Sequence, residues 1–420
     1  MNKKRYKKSQ ILKGVKVIDF AEVWAGPFGA SLMGDMGADV IKVESYPRRS
    51  LTRPIKVDAR VADGPGPTYE RTSPQIQGNR NKRNIALDIK SKAGIKIFKK
   101  LIEHADIIIE GFAAGVIEKL GFSWDEVRKI NDKISMISMP AWGVEGPYKG
   151  YTGLGSGIEG TTGHAAVRGL KEKDMIHLPG NFMTDATAPI QVVFASITAL
   201  MQRQKTSKGS FIDMSQSEAF AWHLVGPLGE WTLNNREPEK NGNNDQYIVP
   251  HNVFKTKDQK WIVIAAENDL QWEGLSNALG QPEWSQIEHE WSTINKRVNN
   301  RQKVNSAIQK IIDEKTSDEI VNIIQENGAI ASPIVDAVGM FSNLQMQSRE
   351  WFQAIEMPYL GERLLPGFLW KIQPDQPIYD YRTGMVGEHN EEILLELGFQ
   401  EKEINNFYEE NIIGNKYAEE

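Results

Sequence analysis

Residues 14–44 constrain this chain more than any other stretch, because they read as a strand, a helix and a second strand in close succession. Val15-Lys16-Val17-Ile18-Asp19-Phe20 has the β-branched, apolar texture of a buried strand. Residues 28–36 follow as a short helix, and Ala38-Asp39-Val40-Ile41-Lys42-Val43-Glu44 repeats the strand pattern. A βαβ unit of this length predicts parallel strands joined by a right-handed crossover. Such a beginning normally carries Gly-x-Gly-x-x-Gly in its first turn, where the backbone must approach a pyrophosphate. Here the turn is Ala21-Glu22-Val23-Trp24-Ala25-Gly26-Pro27. One glycine, a proline and a large indole form no such cradle. The scaffold is therefore Rossmann-like, and the reading as a nicotinamide-dependent dehydrogenase fails at its first test.

The alternation continues along the chain. Residues 46–79 form a long Pro-, Arg-, Gly- and Ser-rich connection, of the length that often carries function. A helix over 92–104 places Ile95, Phe98, Leu101 and Ile102 on one face, and 106–110 and 134–139 read as further strands. Ser123 and Glu126 form a capping box between them. Strands separated by helices predict an α/β fold with a doubly wound, mostly parallel sheet. Residues 151–164 are glycine-rich, 186–204 are a strongly apolar helix, 211–214 add a strand and 216–228 another helix. The polar stretch 234–245 then reads as a linker. A hairpin over 251–266, turning at 257–260, and a helix capped by Thr316 and Glu319 predict a smaller α+β domain. From Ala329 the chain regains β character and ends in two amphipathic helices. The expected layout is a large domain from 1–230 and 331–420, with the small domain over 231–330.

Composition narrows the function classes. A net charge of −5 argues against a general nucleic-acid partner. Cysteine is absent, which excludes thiol nucleophiles, disulfides and thiolate metal sites. The seven histidines show no metal-ligand spacing, so no metal is expected, and His104 and His164 read as structural or exposed. No run of roughly eighteen apolar residues is available to span a membrane. The basic start Met1-Asn2-Lys3-Lys4-Arg5-Tyr6-Lys7-Lys8 lacks the apolar centre of a secretory leader, so the cytoplasm is the expected location.

Asp185 is the sharpest candidate for chemistry. It stands in Pro179-Gly180-Asn181-Phe182-Met183-Thr184-Asp185, just before the apolar helix, with Pro189 expected in the first helical turn. One reading makes it an N-cap. The other uses the same position for a covalent carboxylate nucleophile, with free N–H groups at the helix start stabilising an oxyanion. Gly155-x-Gly157-x-x-Gly160 matches the dinucleotide fingerprint literally, but no strand precedes it, and a loop that lets backbone approach a ligand accounts for it better. Arg80-Asn81-Lys82-Arg83 reads either as a solvated surface run or as a phosphate-binding cluster. Glu44 at the end of the second strand is placed to meet a ribose hydroxyl.

These motifs together resemble one family. Val17-Ile18-Asp19-Phe20-Ala21-Glu22-Val23-Trp24-Ala25-Gly26-Pro27 and Met36-Gly37-Ala38-Asp39-Val40-Ile41-Lys42-Val43-Glu44 are similar to the beginning of the class III coenzyme A transferases, relatives of formyl-CoA transferase and carnitine CoA-transferase. The similarity continues through Asn81-Lys82-Arg83-Asn84-Ile85-Ala86-Leu87-Asp88, residues 106–121, the helix after Asp185, and Gly209-Ser210-Phe211-Ile212-Asp213-Met214-Ser215. It ends at Gly387-Glu388-His389 before 394–398. The resemblance implies a large domain built from both chain ends, a small central domain, and two copies threaded into an interlocked homodimer. It implies transfer of CoA between an acyl-CoA and a carboxylic acid through an aspartyl anhydride and an aspartyl-CoA thioester on Asp185. Coenzyme A would be a substrate, with no cofactor held tightly.

The resemblance also places a CoA site. Val23, Trp24 and Ala25 occupy the first βα turn. Leu87, Asp88, Ile89 and Lys90 fall at the adenine and ribose region, and Gly111, Phe112 and Ala113 follow the third strand. Lys119 stands at a phosphate, and Pro140, Ala141, Trp142 and Gly143 near the thioester. Departures are informative. Ser45 replaces an arginine, for which Arg48 or Arg49 would substitute, and Gly111 replaces an asparagine. The small domain lacks the multi-glycine loop of formyl-CoA transferase, which argues against oxalate or formate. An acyl-CoA racemase of this fold needs a histidine where the chain has Leu154, while an intramolecular CoA-transferase would use the same residues as an intermolecular one. Trp142, Trp222, Trp231, Tyr247 and His251 are the aromatics available to line an acyl pocket.

Overall fold

The computed structural model describes residues 9–53, 60–173 and 182–417. The basic tail and Pro179, Gly180 and Asn181 lie outside the described residues. Six parallel strands form the main sheet: β1 (Lys16–Asp19), β2 (Asp39–Ser45), β3 (Lys82–Leu87), β4 (Ile107–Glu110), β5 (Ser135–Ser138) and β6 (Phe211–Asp213). Their spatial order is β3-β2-β1-β4-β5-β6. The expected α/β class and parallel sheet are thus what the chain builds. The uninterrupted apolar run Ile107-Ile108-Ile109 fits a strand covered on both faces. Ile108 packs with Phe98, Leu101 and Ile102 of the Lys92–His104 helix on one face. Ile107 and Ile109 pack on the other with Met33 of α1 (Ala25–Asp35) and Val192 of the Met183–Thr206 helix.

That last pair of helices meets at very close range. A Cβ added at Gly29 would lie 2.9 Å from the Val192 Cβ and 3.1 Å from the Pro189 carbonyl oxygen. Glycine at 29 therefore fixes the height of the 183–206 helix over α1. Among the described residues this helix is the one long and apolar enough to cross a membrane, yet Ala188, Val192, Val193 and Ala199 face the core of the sheet domain.

The outer edge of β3 is closed by residues from the far end of the chain. Asn84 N–H donates to His389 Nδ1 (3.1 Å), and Ala86 N–H to the Asn390 side-chain oxygen (3.0 Å). Asp88 N–H donates to the Ile412 carbonyl (2.7 Å), and Leu87 bridges to Ile413. An open edge, which would template intermolecular pairing, is covered in this way.

The chain divides into two compact units. The first contains residues 1–163, 180–225 and 350–420; the second contains 164–179 and 226–349. Within the second unit, β7 (His251–Lys255), β8 (Trp261–Ala265) and β9 (Ile330–Ile334) form an antiparallel sheet in that order, packed on Trp272, Leu275, Val304 and Ile308. Because β9 pairs with β8, residues 331–349 stay with this unit, where the sequence reading began the return to the large domain at 331. Thr316 is the N-cap residue of the Ser317–Glu326 helix without a side-chain capping bond; Asp258 Oδ1 accepts from Ser317 N–H instead (3.0 Å).

Candidate active site

Turns at the carboxyl ends of β3, β1, β4 and β5 gather most of the residues singled out above along one edge of the sheet. Leu87 to Lys90 follow β3, Val23 to Ala25 follow β1, Gly111 to Ala113 follow β4, and Pro140 to Gly143 follow β5. β1 and β4 are neighbours although the intervening chain builds β2 and β3 on the other side. The crevice above them is the switch point at which open α/β sheets bind ligands. Gly111 has room there: a Cβ at this position would lie in ordinary contact, 3.5 Å from Met139 Cγ and 3.8 Å from the Ala21 Cβ. Lys119 is exposed at the end of the Val116–Lys119 helix.

The first turn is held under strain. Val23, a β-branched residue, has φ +68°, in the left-handed region that such side chains avoid. Its neighbours hold it there. Asp19 Oδ1 accepts from Ala21 N–H (3.1 Å), Lys42 Nζ donates to the Ala21 carbonyl, and Glu22 pairs with Arg48. Phe182, which begins the 183–206 helix, is also left-handed (φ +49°). Strain of this kind persists only where surrounding structure enforces it, and it clusters at ligand sites.

Asp185 is the third residue of the 183–206 helix, not its cap, since Phe182 takes the cap position without a side-chain bond. Pro189 accordingly lies inside the helix and not in its first turn. The carboxylate is half-buried and lies against the bare α-carbon of Gly155: a Cβ there would come within 1.8 Å of Asp185 Oδ2. Burial pushes its pKa up to about 6; its own backbone N–H opposes the rise and the Glu159 carboxylate adds to it. Glu159 is buried in the Gly155–Thr161 helix and accepts from Met183 N–H. Two N–H groups of the first turn are therefore engaged by carboxylates, the first of the two uses, carboxylate and oxyanion, that the sequence reading gives them. Glu159 escaped that reading; its one signal is a spacing of four from Gly155, which puts the two on one helix face.

The glycine tract resolves into distinct roles. Space is demanded at Gly155, whereas a Cβ at Gly157 or Gly160 meets nothing within 4 Å. Gly155→Ala is expected to push the Asp185 carboxylate aside and lower kcat about 10- to 100-fold, the cost of misplacing a reacting group by an ångström. Its melting temperature should stay near that of the parent, because alanine favours a helix. Gly157→Ala, measured beside it, should keep full activity. Equal activity in the two variants would remove the contact from the argument.

Two sequence expectations are overturned by burial. Arg80 and Lys82 are neither solvated nor free for phosphate. Arg80 pairs with Asp35 (2.7 Å) between the rings of Phe28 and Tyr379, and Lys82 pairs with Asp19 (2.7 Å) while donating to the Pro27 and Gly78 carbonyls. Arg83 is held by Asp39, Glu392 and Glu396. Glu44 cannot receive a ribose, because Arg53 grips it with two bonds (2.7 and 2.8 Å) and Asn84 donates to it at 2.6 Å. Of the arginines considered in place of Ser45, Arg48 is exposed beside Glu22, and Arg49 lies over the rings of Tyr69 and Tyr417. Leu154 begins the 155–161 helix and is 59% exposed, offering no base.

The aromatics divide between the two units. Trp142 borders a cavity of 340 Å³ with Tyr148, Thr161, Ser217 and Glu218, and its buried Nε1 has no partner among the described residues. Trp222 is exposed in the same unit, whereas Trp231, Tyr247 and His251 belong to the second.

The model of CoA-transferase family III matches residues 12–390. The β subunit of succinyl-CoA–L-malate CoA-transferase from Chloroflexus aurantiacus is 28% identical over 405 residues, covering 96% of this chain and 98% of its own. Succinyl-CoA:glutarate CoA-transferase from Homo sapiens is 28% identical over 386 residues, covering 92% and 86%. A CAIB/BAIF family protein from Brucella suis shares the fold with a TM-score of 0.82 and 26% identity, covering 93% of this chain and 100% of that one.

Proposed function

The chain belongs to CoA-transferase family III, and from that premise we propose that it moves coenzyme A from an acyl-CoA thioester to a free carboxylic acid, with Asp185 as the covalent carrier. The observation that carries this reading is a partly desolvated carboxylate, unpaired with any cation among the described residues, seated in the space that the missing side chain of Gly155 leaves.

The steps follow from what a carboxylate can do. An Asp185 oxygen attacks the thioester carbonyl, the C–S bond breaks, and a mixed anhydride and CoA thiolate result. The thiolate attacks the aspartyl carbonyl of the anhydride, releasing the donor acid and leaving Asp185 as a CoA thioester. An acceptor carboxylate then attacks that thioester, giving a second anhydride and thiolate. Attack of the thiolate on the acceptor carbonyl releases the new acyl-CoA and restores Asp185. Only an acid side chain can exchange partners in this way. The turns after β1, β3, β4 and β5 would bind the CoA moiety, and the Trp142 N–H beside its cavity would meet a polar atom of the acyl group.

The raised pKa of Asp185 gives a sign to the pH dependence. The ionised form is the nucleophile, so turnover should be full above about 6 and fall roughly tenfold per unit below it. An acidic limb absent down to pH 4.5 would speak against Asp185 as the attacking group.

A second copy of the chain would cover the apolar face of the 183–206 helix, where Phe194 is 76% exposed beside Ile190. This is the interlocked homodimer that the resemblance implies, and the molar mass in solution tests it.

The deciding experiment is intact and peptide mass spectrometry after incubation with a panel of acyl-CoAs, beginning with succinyl-CoA, the donor named in both relatives. A CoA adduct on the peptide containing Asp185 supports the reading and names the donor. Turnover without any adduct, with deuterium entering the acyl α-carbon from heavy water, would replace it with proton transfer.

A further inference from the structure

Beneath two of the turns at the carboxyl edge lies a row of polar side chains that the transfer chemistry does not use. Glu110, Ser138 and Asp213 are cross-strand neighbours at the carboxyl ends of β4, β5 and β6. Each acid holds the backbone of one turn. Glu110 Oε2 accepts from Phe112 N–H (2.9 Å), fixing the turn after β4, while its Oε1 accepts from Ser138 Oγ. Asp213 accepts from Val144 N–H through both oxygens (3.2 and 3.1 Å), fixing the turn after β5. Glu110 is almost fully buried, with no cation in contact with it among the described residues.

We propose that Glu110 is a positioning residue for the CoA site, a carboxyl group that holds the 111–113 turn in its binding geometry and admits the polyanionic ligand best when it carries a proton. This rests on the CoA-binding part of the reading above, not on the covalent step. The charged groups that bear on it are Glu118 from the 116–119 helix and Asp213 from β6, both acids. With burial as the larger cause, they push its pKa up to about 7, against the bonds from Ser138 and Phe112. Loss of the proton adds a negative charge under a turn that would line the CoA site, and repulsion of the polyanionic ligand through the poorly screened interior weakens binding.

The test is calorimetric titration of the dimeric or monomeric full-length protein with CoA itself, between pH 6 and 8.5, for the parent, Glu110→Gln, Glu110→Ala and Ser138→Ala. The parent's Kd should rise about fivefold across this range. Glu110→Gln keeps a hydrogen-bonding side chain but cannot ionise, so its Kd should lack that rise and follow only the ionisation of CoA's own phosphates. Glu110→Ala should weaken binding about tenfold at every pH. Ser138→Ala, which removes a bond that favours the ionised form, should move the inflection to higher pH. A Glu110→Gln curve that superposes on the parent's overturns the proposal, as does an unchanged Kd in a folded Glu110→Ala. Failure of the covalent mechanism would show separately, as CoA binding without an Asp185 adduct.

Discussion

Asp185→Asn is expected to lose turnover by on the order of 10⁴-fold and to form no CoA adduct, while melting no lower than the parent. The first part follows from chemistry: an amide nitrogen or oxygen cannot form and release the anhydride, and removing a covalent nucleophile is among the largest single losses an enzyme sustains. The second part follows from linkage. The folded-state pKa of Asp185 lies above its unfolded value, so the fold favours the protonated acid, and the cost to stability grows as pH rises from the ordinary value of 3.8 to about 6 and is full above that. The amide removes that cost and keeps the shape. Kinetics, intact mass and a thermal melt of one preparation check all three statements; a variant that loses activity together with several degrees of stability would make Asp185 a structural residue.

Arg53→Ala should be the most destabilising single change in the sheet domain, by about 3–5 kcal/mol. Arg53 is fully buried. It holds Glu44 with two bonds and Glu70 with one (2.6 Å), and donates to the Gly384 carbonyl (3.1 Å). Truncation leaves the Glu44 carboxylate buried with Asn84 and Gln75 as its donors among the described residues, and an uncompensated buried charge is what makes such breaks expensive. Replacing the pair together, as Glu44→Leu with Arg53→Met, should recover much of the loss. Burial alone would raise the Glu44 pKa, but Arg53 and its neighbours outweigh it and hold the group below the ordinary value. Its contribution is thus present above the unfolded pKa and disappears as pH falls through the folded one, so parent and Arg53→Ala should converge in acid. Urea unfolding at pH 7 and at pH 3 measures both effects; a difference under 1 kcal/mol at pH 7 would contradict the account.

The strands were legible because periodicity and β-branching act over a few residues, and 15–20, 38–44, 106–110 and 134–139 each fall within a residue or two of an observed strand. The basic run at 80–83 was not, because its partners are distant: Asp35 lies 45 residues from Arg80, and Asp19 lies 63 from Lys82. The same holds for Glu44, whose local pattern suggested a sugar contact while Arg53, nine residues on, claims it. Asp185 stood out in sequence, but that it lies inside the helix and against Gly155 of a separate helix, not at the cap, had no local signal. The left-handed conformation of Val23 leaves no trace in residue type, since nothing about valine announces it.

Closure of the β3 edge has a consequence for biosynthesis. The residues that complete it, from His389 to Ile413, are made only after the whole of the second compact unit. Until then the nascent sheet displays the open outer edge of β3, the kind of surface on which chains associate wrongly. Vectorial synthesis cannot finish this domain piece by piece. A premature stop, even one that spares every catalytic and ligand-binding position, would leave a product prone to join its neighbours edge to edge.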